Sequence, residues 1–154
     1  MQIEWMKQRG TPAVHYRKRL QKVLERAQEL AGLGTESGVL HIVLTAPATM
    51  IRLNESYLNH QGITDVLTFD LRDELLDPDE CAAEIYVSPD YAAKACSQFG
   101  NSLSRELVLY MVHGMLHLAG EDDLDETSRK SMRAAETRVL NALEQHFSLE
   151  GFFL

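Results

Sequence analysis

Two histidines four residues apart, His113 and His117, stand in the run VHGMLHLAGEDD at residues 112–123. Four residues of α-helix turn by about 400°, so the two imidazoles sit about 40° apart on one face. Their nitrogens can then converge on one point, as a tetrahedral zinc about 2.0–2.1 Å from each requires. Gly120, just beyond, can take the left-handed conformation that ends a helix and folds the chain back. That turn brings a carboxylate from Glu121, Asp122 or Asp123 toward the same point. Two histidines and a carboxylate leave a fourth position open, the arrangement of a catalytic rather than a structural zinc. The plainer alternative is a pair of core histidines followed by a solvated acidic turn.

Gly114 narrows the chemistry. A His-Glu-x-x-His peptidase places its general base directly after the first ligand, and glycine cannot serve there. Phosphodiester cleavage tolerates the glycine, because water or the substrate's own 2′-hydroxyl attacks. Arg105 lies two turns before His113 and about 80° off its face, so it either neighbours the site or pairs on the helix surface.

The run His113-Gly114-Met115-Leu116-His117-Leu118-Ala119-Gly120-Glu121-Asp122-Asp123 resembles the His-Gly-x-Leu-His-Leu-x-Gly-x-x-His signature of the YbeY-type bacterial endoribonucleases. Arg52-Leu53-Asn54 with Tyr57 resembles that family's Leu-Asn-x-x-Tyr helix. Thr64-Asp65-Val66-Leu67-Thr68-Phe69 and Glu84-Ile85 with Val87-Ser88 resemble two of its strands. The blocks fall in family order over roughly residues 38–140. The resemblance implies a zinc protein that cleaves single-stranded RNA in ribosomal RNA maturation and ribosome quality control. RNA and ribosomal proteins are its implied partners, and no DNA or membrane partner is expected. The implied metal ligands are His113, His117 and Asp123, the last standing where the family has its third histidine. A carboxylate also suits iron, nickel or manganese. The family's arginine after the tyrosine is Leu58 here, and His60, two residues on, is the candidate substitute in catalysis beside Arg105. Two other functions compete. One is a zinc hydrolase for another substrate, with Glu84 or Glu121 as base. The other is a non-catalytic ribosome-assembly factor whose metal is structural.

Several elements must position these groups. Leu20, Val23, Leu24, Ala27, Leu30 and Ala31 recur at helical spacing, and the expected helix spans 12–32, capped by Thr11 with Pro12 in its first turn. Strands are expected at 38–45, 65–71 and 84–88, with an acidic loop between the last two. Further helices are expected at 47–59, 89–99, 102–118 and 126–146. Residues 102–123 thus form the metal-site helix and turn. The fold class is α+β: a small mixed sheet surrounded by helices, with a zincin-like metal-bearing helix.

The chain has 154 residues, 45% hydrophobic and 25% charged, which suits one domain over 1–154 and excludes a disordered chain. No apolar run approaches the roughly 20 residues of a membrane helix, and MQIEWMKQRG lacks a signal peptide's apolar stretch. A cytoplasmic location is expected, with Cys81 and Cys96 as reduced thiols. Net charge is −8, but residues 1–30 carry seven Lys/Arg against three Glu. Arg17, Lys18, Arg19, Lys22 and Arg26 form either a phosphate-facing patch or the wet side of a helix.

Overall fold

The computed structural model describes residues 1–57, 65–73 and 77–154. Leu58, His60, Gly62 and Thr64 lie outside the described residues, so the expectations placed on them are not addressed below. The elements run β1 (Gln2–Lys7), α1 (Arg17–Ala31), β2 (Val39–Leu44), α2 (Pro47–Tyr57), β3 (Val66–Asp70), β4 (Cys81–Val87), α3 (Pro89–Phe99), α4 (Leu103–Leu118) and α5 (Glu126–Glu144).

Alternation along the strands separates the sheet into two faces. Ile3, Leu40 and Ala83 form one transverse row, and Trp5, Ile42 and Ile85 the next, on the face that receives the helices. The strands lie in the order β1-β2-β4-β3. The first three are parallel, and β3 runs antiparallel to β4 at the edge. This is the mixed sheet of an α+β fold. Helix α4 packs on β3 and β4, α1 on β1 and α4, and α5 on α1 and α4. Helix α4 is apolar nearly all round, since it is enclosed by sheet and helices. Gly114 lets it approach the sheet. A Cβ there would lie 2.8 Å from Ile85 Cγ2 and 3.0 Å from Thr68 Oγ1.

The N-terminal third departs from expectation. Residues 2–7 are a strand, whose short alternation the sequence reading passed over. The first helix begins at Arg17 rather than Pro12, because residues 13–15 pair with the C-terminal tail. Val14 bridges Phe153, and the His15 N–H donates to the Phe152 carbonyl at 2.7 Å. Tyr16, not Thr11, occupies the N-cap, in the left-handed region at φ 53°. The loop between β3 and β4 is also shorter than expected, since β4 already starts at Cys81.

Phe152 is fully buried, and Ser104 on α4 fixes the tail. Its hydroxyl donates to the Leu149 carbonyl at 2.7 Å and accepts from the Phe152 N–H at 3.0 Å. Arg19 donates to the Glu150 carbonyl and lies over the rings of Tyr16 and Phe152. Arg26 pairs with Glu29, and Arg17 lies over Trp5. Three of the five cations in the basic stretch are therefore engaged within the chain, although Arg17 and Arg26 stay exposed with Lys18 and Lys22. No described helix is long and apolar enough to cross a membrane.

Candidate metal centre

Two capping devices build the site. Helix α4 ends in paired turn bonds: the Glu121 N–H reaches the Leu116 carbonyl, and the Gly120 N–H reaches the His117 carbonyl. Gly120 sits at φ 105°, the left-handed conformation the sequence called for. Helix α5 then starts from a capping box, in which Asp125 accepts from the Ser128 N–H and the Ser128 hydroxyl accepts from the Asp125 N–H. Between these two turns hang the three acids.

They do different things. The Glu121 carboxylate accepts from the Ser131 hydroxyl at 3.0 Å, and its carbonyl faces His117 Nδ1 at 3.0 Å. Asp122 accepts from the Leu124 N–H. That bond and the Ser128 hydroxyl hold its carboxyl below the usual range, Ser128 being the stronger cause. Asp123 turns inward, with Oδ2 3.4 Å from His113 Nε2 and 3.7 Å from His117 Nε2. The two Nε2 atoms are 2.9 Å apart. Ligand atoms 2.0–2.2 Å from a tetrahedral centre stand about 3.3–3.6 Å from one another, so the two Asp123 distances are close to this range and the two Nε2 atoms would part by about 0.4 Å to admit an ion.

The donor set fits a cation. His113 Nδ1 lies 2.7 Å from Glu136 Oε1, and His117 Nδ1 faces the Glu121 carbonyl. With an acceptor at each Nδ1, a proton placed there leaves the Nε2 lone pair of each ring available to a cation. A proton or a metal cation between the two Nε2 atoms satisfies this arrangement. Burial alone would lower the pKa of His113, but the Glu136 carboxylate, with Asp65 and Asp123 adding, outweighs it and the net shift is upward. The His113 side chain is 19% exposed and Asp123 39%, so the set is shielded on the helix side and open on the other.

Two cavities meet at His113 and Asp123. One, of about 580 Å³, runs along β3 from Asp65 to Asp70 and takes in His117. The other, of about 320 Å³, is lined by Tyr110, Arg129, Arg133 and Glu136. Burial, then Glu106, pushes the Tyr110 phenol far up, so it stays neutral.

Two expectations need correction. Arg105 lines neither cavity; its guanidinium pairs with Glu144 on α5 at 2.9 Å, the surface pairing named as the alternative. Glu84 cannot serve as a base here. Ile85 meets α4, so its neighbour Glu84 points to the opposite face, where Tyr86 donates to it at 2.9 Å. Glu136, Asp65, Arg129 and Arg133 were missed by the sequence reading. An acid near His113 Nδ1 is a general need of a ligating histidine, but nothing in the local sequence says it comes from the third turn of α5.

The fold and the cluster define a class: an α+β protein bearing a half-open His-His-Asp ligand set on a helix packed against a mixed sheet. Comparison with known proteins narrows it. Residues 2–144 match the family model described as Endoribonuclease YbeY. Endoribonuclease YbeY of Salinibacter ruber is 41% identical over 115 residues, 71% of this chain and 73% of that protein. The protein of the same name from Heliobacterium modesticaldum is 37% identical over 122 residues, 73% and 74% of the two chains. The solution structure of TM1509 from Thermotoga maritima superposes with a TM-score of 0.61 at 25% identity, covering 93% of this chain and 89% of that one. The chain belongs to the YbeY endoribonuclease family.

Proposed function

We propose that this chain is a metal-dependent endoribonuclease that cleaves single-stranded RNA in ribosomal RNA maturation, with zinc held by His113, His117 and Asp123. The observation that carries the reading is the convergence of two histidine Nε2 atoms and one carboxylate oxygen on a single open point. The endoribonuclease relatives support the substrate class. A bound divalent ion would supply Lewis-acid charge stabilisation at the scissile phosphate and acidify the attacking water.

The protein's own groups do the rest. Glu136 and the Glu121 carbonyl orient the two imidazoles, so that each presents a lone pair rather than a proton. The groove along β3 runs past Asp65 to Asp70 beside the ligand set and offers a single strand of RNA a path to it. Asp65, Asp123 and Glu136 make the site acidic, and a phosphodiester would be repelled without compensation. Arg129 and Arg133 supply part of it, at the rim of the adjoining cavity. Lys18 and Lys22 extend RNA contact onto α1. Ribosomal proteins are the partners that would bring such a nuclease to its substrate.

Structured RNA with single-stranded loops and casein are assayed side by side, with Asp123→Ala as control. RNA cleavage that disappears in the variant is expected. Cleavage of casein alone would replace this reading with that of a zinc peptidase.

A further inference from the structure

The sheet face turned away from α4 carries a second set of metal-ligating side chains. Glu4, His41 and Glu84 are direct cross-strand partners on β1, β2 and β4, so they form one transverse row. Cys81 would not ordinarily join them, since residues three apart on a strand point to opposite faces. The register is broken here: Val39 pairs with Cys81, yet Leu40 pairs with Ala83, which leaves Ala82 as an extra residue in β4. This bulge turns Cys81 onto the face of Glu84 and His41. One ligand atom from each of His41, Cys81 and Glu84 lies within 4.8 Å of the others. Glu4 Oε2 is 3.5 Å from His41 Nε2 and stands ready as a fourth.

We propose that His41, Cys81 and Glu84, with Glu4 completing the set, form a second metal site that takes a zinc-class divalent transition ion and ties together strands β1, β2 and β4. One thiolate, one imidazole and carboxylates are a donor set for zinc or cobalt rather than for magnesium or calcium. Around tetrahedral zinc a sulfur and a nitrogen stand about 3.6 Å apart, so separations of at most 4.8 Å close with roughly 1.2 Å or less of side-chain movement. All three residues are half-buried, which limits competition from water while leaving a path for the ion. A supporting contact is already in place: the Tyr86 hydroxyl donates to Glu84 Oε2, which orients the carboxylate. Burial, then Glu84, pushes that phenol up to about 12, so it remains a donor. Among the described residues, the Cys81 thiol makes a long 3.6 Å contact to the Ala83 carbonyl. Its proton leaves to solvent when the ion binds.

Cobalt(II) separates this site from the His-His-Asp centre, because only a thiolate gives the sulfur-to-cobalt charge-transfer band in the near ultraviolet. Metal-stripped, reduced full-length protein is titrated with cobalt(II). The band is expected to saturate by two ions per chain in the wild type and in Cys96→Ser, where the histidine–aspartate centre also takes cobalt, and at one ion per chain in His113→Ala/His117→Ala. It is expected to vanish in Cys81→Ser and to need at least tenfold more cobalt in Glu84→Gln. No band in the wild type, or a band that survives Cys81→Ser, overturns the proposal. Neither result bears on the histidine–aspartate centre, which contains no sulfur.

Discussion

Glu136 Oε1 lies 2.7 Å from His113 Nδ1, across the gap between α5 and α4. The carboxylate sits three turns into α5, with its side chain only 16% exposed, and it fixes which nitrogen of the imidazole stays free. A residue 23 positions away in sequence thereby decides whether His113 can ligate. Removing such a partner costs roughly 10–100-fold in metal affinity. Glu136→Ala should show this loss in a chelator competition run in the Cys81→Ser background, while Glu136→Gln, which keeps an acceptor, loses less. Unchanged affinity in Glu136→Ala would contradict the orienting role.

Gly114 is a packing requirement. A methyl group at this position meets Ile85 at 2.8 and 2.9 Å, and Ile85 is a fully buried, branched side chain with little room to yield. Overpacking of this kind costs about 1–3 kcal/mol, more than the roughly 0.5–1 kcal/mol that alanine gains in helix propensity. Gly114→Ala is therefore expected to lower the urea midpoint at unchanged m-value. A midpoint equal to or above that of the wild type would mean that α4 and β4 adjust freely.

Arg72 joins the end of β3 to the end of α4. It donates to both Asp70 oxygens and to the Leu118 carbonyl, one residue past His117. The Arg72 hydrogen bond holds the Asp70 carboxyl below its ordinary value, against the opposing effect of burial. A carboxyl lowered on folding stabilises the protein above the unfolded value of 3.8, and that contribution is lost as pH falls through the lower folded value. Asp70 is half exposed, so the pair contributes no more than about 1 kcal/mol. The stability difference between wild type and Asp70→Asn should be constant near neutrality and shrink below about pH 4. A difference that grows with acid would have the wrong sign.

Arg129 and Arg133 face the cavity shared with His113 and Asp123. Loss of a phosphate contact of this type weakens binding without touching the chemistry, and each lost contact lowers the salt slope by about 1. Arg129→Ala and Arg133→Ala should each raise KM for RNA, flatten the dependence of binding on salt, and leave kcat within a few-fold. A fall in kcat at constant KM would place the guanidinium at the reacting atoms instead.

The local parts of this molecule were legible in its sequence. The helical spacing of His113 and His117, and the glycine that ends their helix, are short-range facts and came through intact. What failed to show was pairing at a distance. The start of α1 depends on Phe152 and Phe153 at the far end of the chain, which draw Val14 into a bridge and displace the helix five residues past Pro12. Strand β1 is six residues long, and only Ile3 on it is fully enclosed, so its alternation is weak without the neighbouring β2. Helical spacing alone left Glu121, Asp122 and Asp123 open, and the family spacing pointed to Asp123; the structure engages Glu121 with Ser131 and Asp122 with the Leu124 N–H, and turns Asp123 toward the histidines. Arg105 has the spacing to approach the histidines, and Glu144 claims it.

The central claim is that His113, His117 and Asp123 hold the ion on which RNA cleavage depends. Its most direct test is the single-turnover rate of RNA cleavage by chelator-stripped protein as zinc is added back, for the wild type and for Asp123→Ala, with folding checked by circular dichroism. A rate that returns saturably in the wild type and stays roughly a hundredfold or more lower in the folded variant is expected, given the several kcal/mol such an ion supplies. Equal cleavage by the stripped wild type, or by folded Asp123→Ala, would contradict it.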